Sequence, residues 1–138
     1  MHELVIESCY LYCYAIKQLI LNNCSATDAY DRILTESDRR ARVSGCSTIK
    51  YWIENDIEID ESEMPLPHYR PISYLKTPIL WAFYYLKHDY NFNDAIKHIL
   101  SKGGDTAANA AIVGGLIGAA RGINGIDRQL VNTVLTVH

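Results

Sequence analysis

An all-α fold is predicted by three features of this 138-residue chain. Apolar residues recur at spacings of three and four along most of its length, and residues suited to helix caps stand at the breaks between these runs. No run alternates apolar and polar residues as a half-buried strand would. One compact helical domain spanning residues 1–138 is expected, since a chain of this length buries roughly 70% of the surface its unfolded form exposes.

Residues 4–22 carry Leu4, Cys9, Tyr12, Cys13, Ile16, Leu19 and Ile20 at helical spacing and end in Asn22-Asn23. This predicts a first helix with that stripe against the core, and Cys9 and Cys13, one turn apart, as small buried side chains. Ser25 or Thr27 is placed to cap a second helix, with Ala29, Tyr30, Ile33 and Leu34 inward and Asp28, Asp31, Arg32 and Glu36 outward. A third helical segment, 38–54, opens on Arg39-Arg40-Ala41-Arg42 and closes on Ile49, Trp52 and Ile53. With Asp31, Glu36 and Asp38 close by, the basic run reads as a solvated face rather than a phosphate patch.

Carboxylates and prolines crowd "NDIEIDESEMPLPHYRP", residues 55–71, so a surface loop carrying an exposed His68 is expected there. In "SYLKTPILWAFYYLK", Thr77 and Pro78 suit the cap and first residue of a helix that turns Ile79, Leu80, Phe83 and Leu86 inward. Trp81, Phe83, Tyr84 and Tyr85 are too rich an aromatic run for one packed side, which predicts an uncovered apolar patch. Asn91 or Asn93 caps a short helix through Leu100 that Gly103 terminates. A further helix starts at Asp105, and a last one spans 127–137.

Thirteen basic and 16 acidic residues give a net charge of −3, which argues against a nucleic-acid or membrane-surface partner. Cys9, Cys13, Cys24 and Cys46 form no CxxC pair and lack a histidine near enough to complete a zinc pattern. His2 and Glu3 stand where a secretory leader needs basic residues, and the charge-poor stretch between Asp105 and Arg121 is shorter than the about 20 apolar residues of a spanning helix. These features predict a soluble protein of the reducing cytoplasm. No grouping of Ser, His and Asp or of Cys and His has a recognisable catalytic context, and His88, His98 and His138 are assigned no catalytic role.

The most informative stretch is "GGDTAANAAIVGGLIGA", residues 103–119. Asp105 stands at a helix start, where its carboxylate accepts bonds from the free N–H groups of the first turn. Ala110, Gly114, Gly118 and Gly122 recur every fourth residue, a ridge almost without side chains that lets other helices approach closely.

This segment resembles the C-terminal signature of the ADP-ribosylglycohydrolase family, which typically reads GGDTDTNAAIVGALLGAxxG. The upstream segments "KTPILWAFYYL" and "NFNDAIKHILSKGGDT" are similar to the helices that precede it, and "MHELVIESCYLYCYAIKQLI" is similar to the segment after a family Thr-His motif, with His2 in the place of that His. The resemblance implies an all-α fold and hydrolysis of the glycosidic bond linking ADP-ribose to an acceptor, with a pair of Mg²⁺ ions held by oxygen ligands. Part of that ligand set comes from an early Gly-Asp motif and part from the Asp-x-Asp-Thr of the signature.

This chain departs from the pattern twice. The resemblance implies a match from about the family's midpoint onward, so the compact domain is expected to correspond to the C-terminal half of the fold, without the early Gly-Asp ligands. Within the signature Asp105 is kept, but Ala107 and Ala108 replace the second Asp and the Thr, and a methyl group does not coordinate Mg²⁺. The expectation is therefore a metal-less relative: a pseudoenzyme acting as a binding or interaction module, with no bound cofactor and Asp105 as a residual family ligand reduced to a helix cap. The alternative is one subunit of a two-chain Mg²⁺-dependent hydrolase whose missing half comes from a separate chain. An ADP-ribose-like ligand would touch Gly103, Gly104, Asp105 and Thr106 at the positive end of the helix, with His2 nearby. The aromatic run predicts a homodimer or a complex with that separate chain.

Overall fold

The computed structural model describes residues 2–57, 60–64 and 71–137. They form α1 (His2–Ile20), α2 (Ala26–Ser44), the short α3 (Thr48–Tyr51), α4 (Pro71–Lys87), α5 (Phe92–Ser101), α6 (Thr106–Arg121) and α7 (Arg128–Thr136). A π-helical turn, Trp52–Asp56, continues α3, and 3₁₀ turns lie at Glu61–Glu63 and Ile123–Gly125. No strand occurs among the described residues, so the fold is all-α. None of their helices is long and apolar enough to cross a membrane.

Local chemistry sets most of the boundaries. Ser25 accepts from the Asp28 N–H at the head of α2, Asn91 from Asp94 at α5, and Asp127 from Gln129 at α7. Gly45 ends α2 at φ 75° with its N–H bonded to Ala41 O, a left-handed stop that costs a residue without Cβ little. α2 thus runs on through Arg39, Arg40 and Arg42, and the expected separate helix over 38–54 shrinks to α3 and the π-helical turn. His68 lies outside the described residues.

The core centres on α4. From Thr77 to Leu86 every residue is buried, with Leu80, Trp81, Ala82, Phe83, Tyr85 and Leu86 at 0% exposure. A helix apolar all round must be enclosed on all sides. α2, α6, α1 and the π-helical turn surround α4, and α5 lies against α6. The expected uncovered patch at Trp81, Phe83, Tyr84 and Tyr85 is thereby overturned, because the chain itself covers all four rings. The expected cap at Thr77 is corrected as well. α4 begins six residues earlier, at Pro71, and Pro78 sits inside it, leaving the Thr77 hydroxyl buried without a hydrogen-bond partner.

α1 is rotated from the expected orientation. Its buried face is Leu4, Glu7, Ser8, Leu11, Ala15, Gln18 and Leu19, whereas Cys9 and Cys13 are exposed and Ile20 is 60% exposed. Glu7 and Gln18 on that face are satisfied by partners remote in sequence. Arg40 embraces the Glu7 carboxylate through Nε at 2.9 Å and a second nitrogen at 2.5 Å, and Arg32 donates to Gln18 at 2.7 Å. Ser8 donates to Leu4 O within the helix. Glu36, expected outward, is likewise buried, held by Arg39 and by the Tyr10 hydroxyl at 2.7 Å.

Candidate functional site

The signature turn is built by two left-handed glycines, Gly103 at φ 76° and Gly104 at φ 72°, which bring the chain out of α5 and into α6. Asp105 caps α6: its Oδ1 accepts from the Ala108 N–H at 3.2 Å and its carbonyl accepts from Asn109 N–H at 2.9 Å. Thr106 N–H is bonded to Gly104 O at 2.9 Å. Asp105, Thr106, Ala107 and Ala108 are exposed, and Asn109 begins the buried part of the helix.

Further along α6 the small residues do what their spacing predicts, with one addition. A side chain at Gly114 would meet Ile96 and Phe92 of α5, and one at Gly118 would meet Phe92, so the ridge is the seat of α5. Gly115, off that ridge, receives α1: a Cβ there would lie 2.5 Å from the Tyr12 hydroxyl, which donates to Ile112 O at 2.7 Å. At its far end α6 is clasped by Arg121, whose guanidinium donates to Tyr90 O, Asp89 O and the Asp89 carboxylate.

His2 opens α1 and is exposed, and among the described residues no hydrogen bond or ion pair joins it to residues 103–106. Nor do three His, Cys, Asp or Glu side chains gather around a point where a metal ion could sit among those residues. The donor set at the turn is one carboxylate, already engaged as a cap, and the neutral Thr106 hydroxyl, beside the two methyl groups of Ala107 and Ala108. It does not fit a pair of hard cations, which need several anionic oxygens to offset their dehydration.

A polar constellation that the sequence did not announce lies at the C-terminal end of α5, just before the signature turn. His98 Nδ1 is 2.7 Å from the Tyr85 hydroxyl and His98 Nε2 is 2.7 Å from Glu61 Oε1, which also accepts from Lys102 at 3.1 Å. A ring carrying its proton on Nε2 donates to Glu61 and accepts from Tyr85, so one tautomer satisfies the whole chain. The Lys102 and His98 bonds hold Glu61 below the usual carboxylate range. Burial pushes the Tyr85 hydroxyl well above its ordinary value and that of Tyr84 up to about 12. Tyr85 is wholly buried, so the chain braces the 61–63 turn against α4 and α5 rather than offering a nucleophile. Its members are 13 and 37 residues apart, beyond the reach of any local motif.

The fold is an all-α body whose longest small-residue helix starts at a Gly-Gly-Asp-Thr turn. The model of the ADP-ribosylglycohydrolase family matches residues 1–137, and the chain belongs to that family. No curated protein and no solved structure matches it.

Proposed function

We propose that this chain is an ADP-ribosylglycohydrolase-family protein without the two-metal chemistry, acting as a binding or interaction module. The observation that carries the reading is the turn itself: Asp105 spends an oxygen on the Ala108 N–H, and Ala107 and Ala108, the positions of the signature's second Asp and its Thr, carry only methyl groups. Titration calorimetry with Mg²⁺ tests it. Binding at millimolar concentration or none is expected from the chain alone, and micromolar binding would overturn the proposal.

A second reading, a two-chain Mg²⁺-dependent hydrolase releasing ADP-ribose from an acceptor, draws support from the exposure of Asp105, whose Oδ2 another chain's ion could still reach. Micromolar Mg²⁺ binding that appears only when a second chain is added would favour it. Ligand contact at Gly103, Gly104, Asp105 and Thr106 is weakened by the internal bonds of the Thr106 and Ala108 N–H groups, which a diphosphate would otherwise use. No rise in melting temperature is expected with millimolar ADP-ribose, and a clear rise would return the ligand to this turn.

A further inference from the structure

The outward face of α1 carries the seam of a coiled coil. His2, Ile6, Cys9, Cys13, Ile16 and Ile20 follow one another at alternating steps of four and three, the spacing that keeps a stripe facing a partner helix. Ile6 is 48% and Ile20 60% exposed, both thiols are exposed, and Ile16 is half-buried. Meanwhile Leu4, Leu11, Ala15 and Leu19 occupy the core on the other side. A surface helix needs one apolar face, and α1 has two.

We propose that this second face pairs with the same face of another copy of the chain, in an antiparallel dimer about a two-fold axis. The proposal deepens the interaction-module reading and rests on it in naming the partner. The seam is symmetric about the midpoint between Cys9 and Cys13. Reversing the partner therefore sets Ile6 against the partner's Ile16, and Cys9 against the partner's Cys13. One flank of the seam, Glu3, Tyr10 and Lys17, is exposed, and among the described residues neither Glu3 nor Lys17 makes an ion pair within the chain.

In the antiparallel arrangement these flanks run along each other, and Glu3 lies across from the partner's Lys17 at both ends. A parallel arrangement would set that flank against Val5, Tyr12 and Leu19, leaving Glu3 and Lys17 without a countercharge. Charge complementarity selects the antiparallel pair. A contact limited to one helix about 28 Å long is small for a stable interface, so micromolar dissociation is expected.

Sedimentation velocity from about 1 to 100 μM should show a monomer passing into a dimer. Ile6→Glu should abolish the dimer without changing the far-ultraviolet circular dichroism melt, because that side chain makes no core contact that folding requires. Diamide oxidation of an equimolar mixture of Cys9→Ser and Cys13→Ser chains should give several-fold more disulfide-linked dimer than either variant alone, with peptide mapping placing the bond between positions 9 and 13. A monomer throughout the range overturns the proposal, as does a dimer indifferent to Ile6→Glu or linked through like positions. The metal-free reading stands or falls separately, on the Mg²⁺ titration.

Discussion

Replacing Gly115 by alanine tests whether the small residues of α6 are set by their neighbours or by the helix alone. Gly115 is exposed, and on helix propensity an alanine there should stabilise by about 1 kcal/mol. Its Cβ, however, would lie 2.5 Å from the Tyr12 hydroxyl, well inside contact distance. The ring must retreat and loses its 2.7 Å bond to Ile112 O, worth about 1 kcal/mol, while displacing a packed aromatic costs about 1–3 kcal/mol more. The net expectation is a loss of about 1–3 kcal/mol, or roughly 4–12 °C in melting temperature for a chain of this size.

In a Tyr12→Phe background the offending oxygen is gone, and the nearest ring atom, Cζ, lies at 3.7 Å, an ordinary contact. There Gly115→Ala should be neutral or stabilise by up to about 1 kcal/mol. Urea denaturation of the four proteins in this cycle measures the reversal of sign. An equal effect of Gly115→Ala in both backgrounds would refute the close approach of α1 and α6 on which the reasoning rests.

Two further outcomes follow from the charged groups. Arg40→Ala should destabilise by about 3 kcal/mol, because Glu7, 3% exposed, is left without its counter-ion, and Glu7→Leu with Arg40→Met should recover most of that loss in thermal melts. A loss below about 1 kcal/mol for Arg40→Ala would contradict the burial of the pair. Glu36 is held below its ordinary range by the Arg39 hydrogen bond and by Tyr10. A lowered folded pKa means its contribution is full above the unfolded value and fades as pH falls through the folded one, so the wild type should lose stability below about pH 4.3. Glu36→Gln should flatten that acid limb in melts taken from pH 5 to pH 3, and an unchanged slope would show that Glu36 contributes nothing there.

Much of the fold and part of the site were legible from local sequence. Ser25, Asn91 and Asp105 each cap the helix they were suited to cap, because capping is decided within three residues. The glycine turn and the small-residue helix were equally readable, and with them the family, since backbone conformation and close packing leave a direct mark on composition. Asp105 in the role of a cap needed no tertiary information.

What the tertiary structure decided is which side of each element meets the core. Periodicity shows that Cys9, Cys13, Ile16 and Ile20 share a face of α1, but that face and its opposite are both apolar enough to be buried. The choice fell to Glu7 and Gln18, which can be buried only because Arg40 and Arg32, on another helix, supply their hydrogen bonds. The enclosure of the α4 aromatics and the bonding of His98 between Tyr85 and Glu61 have the same origin. Burial of polar or bulky groups is settled by partners far along the chain, and a local pattern carries no record of where those partners will lie.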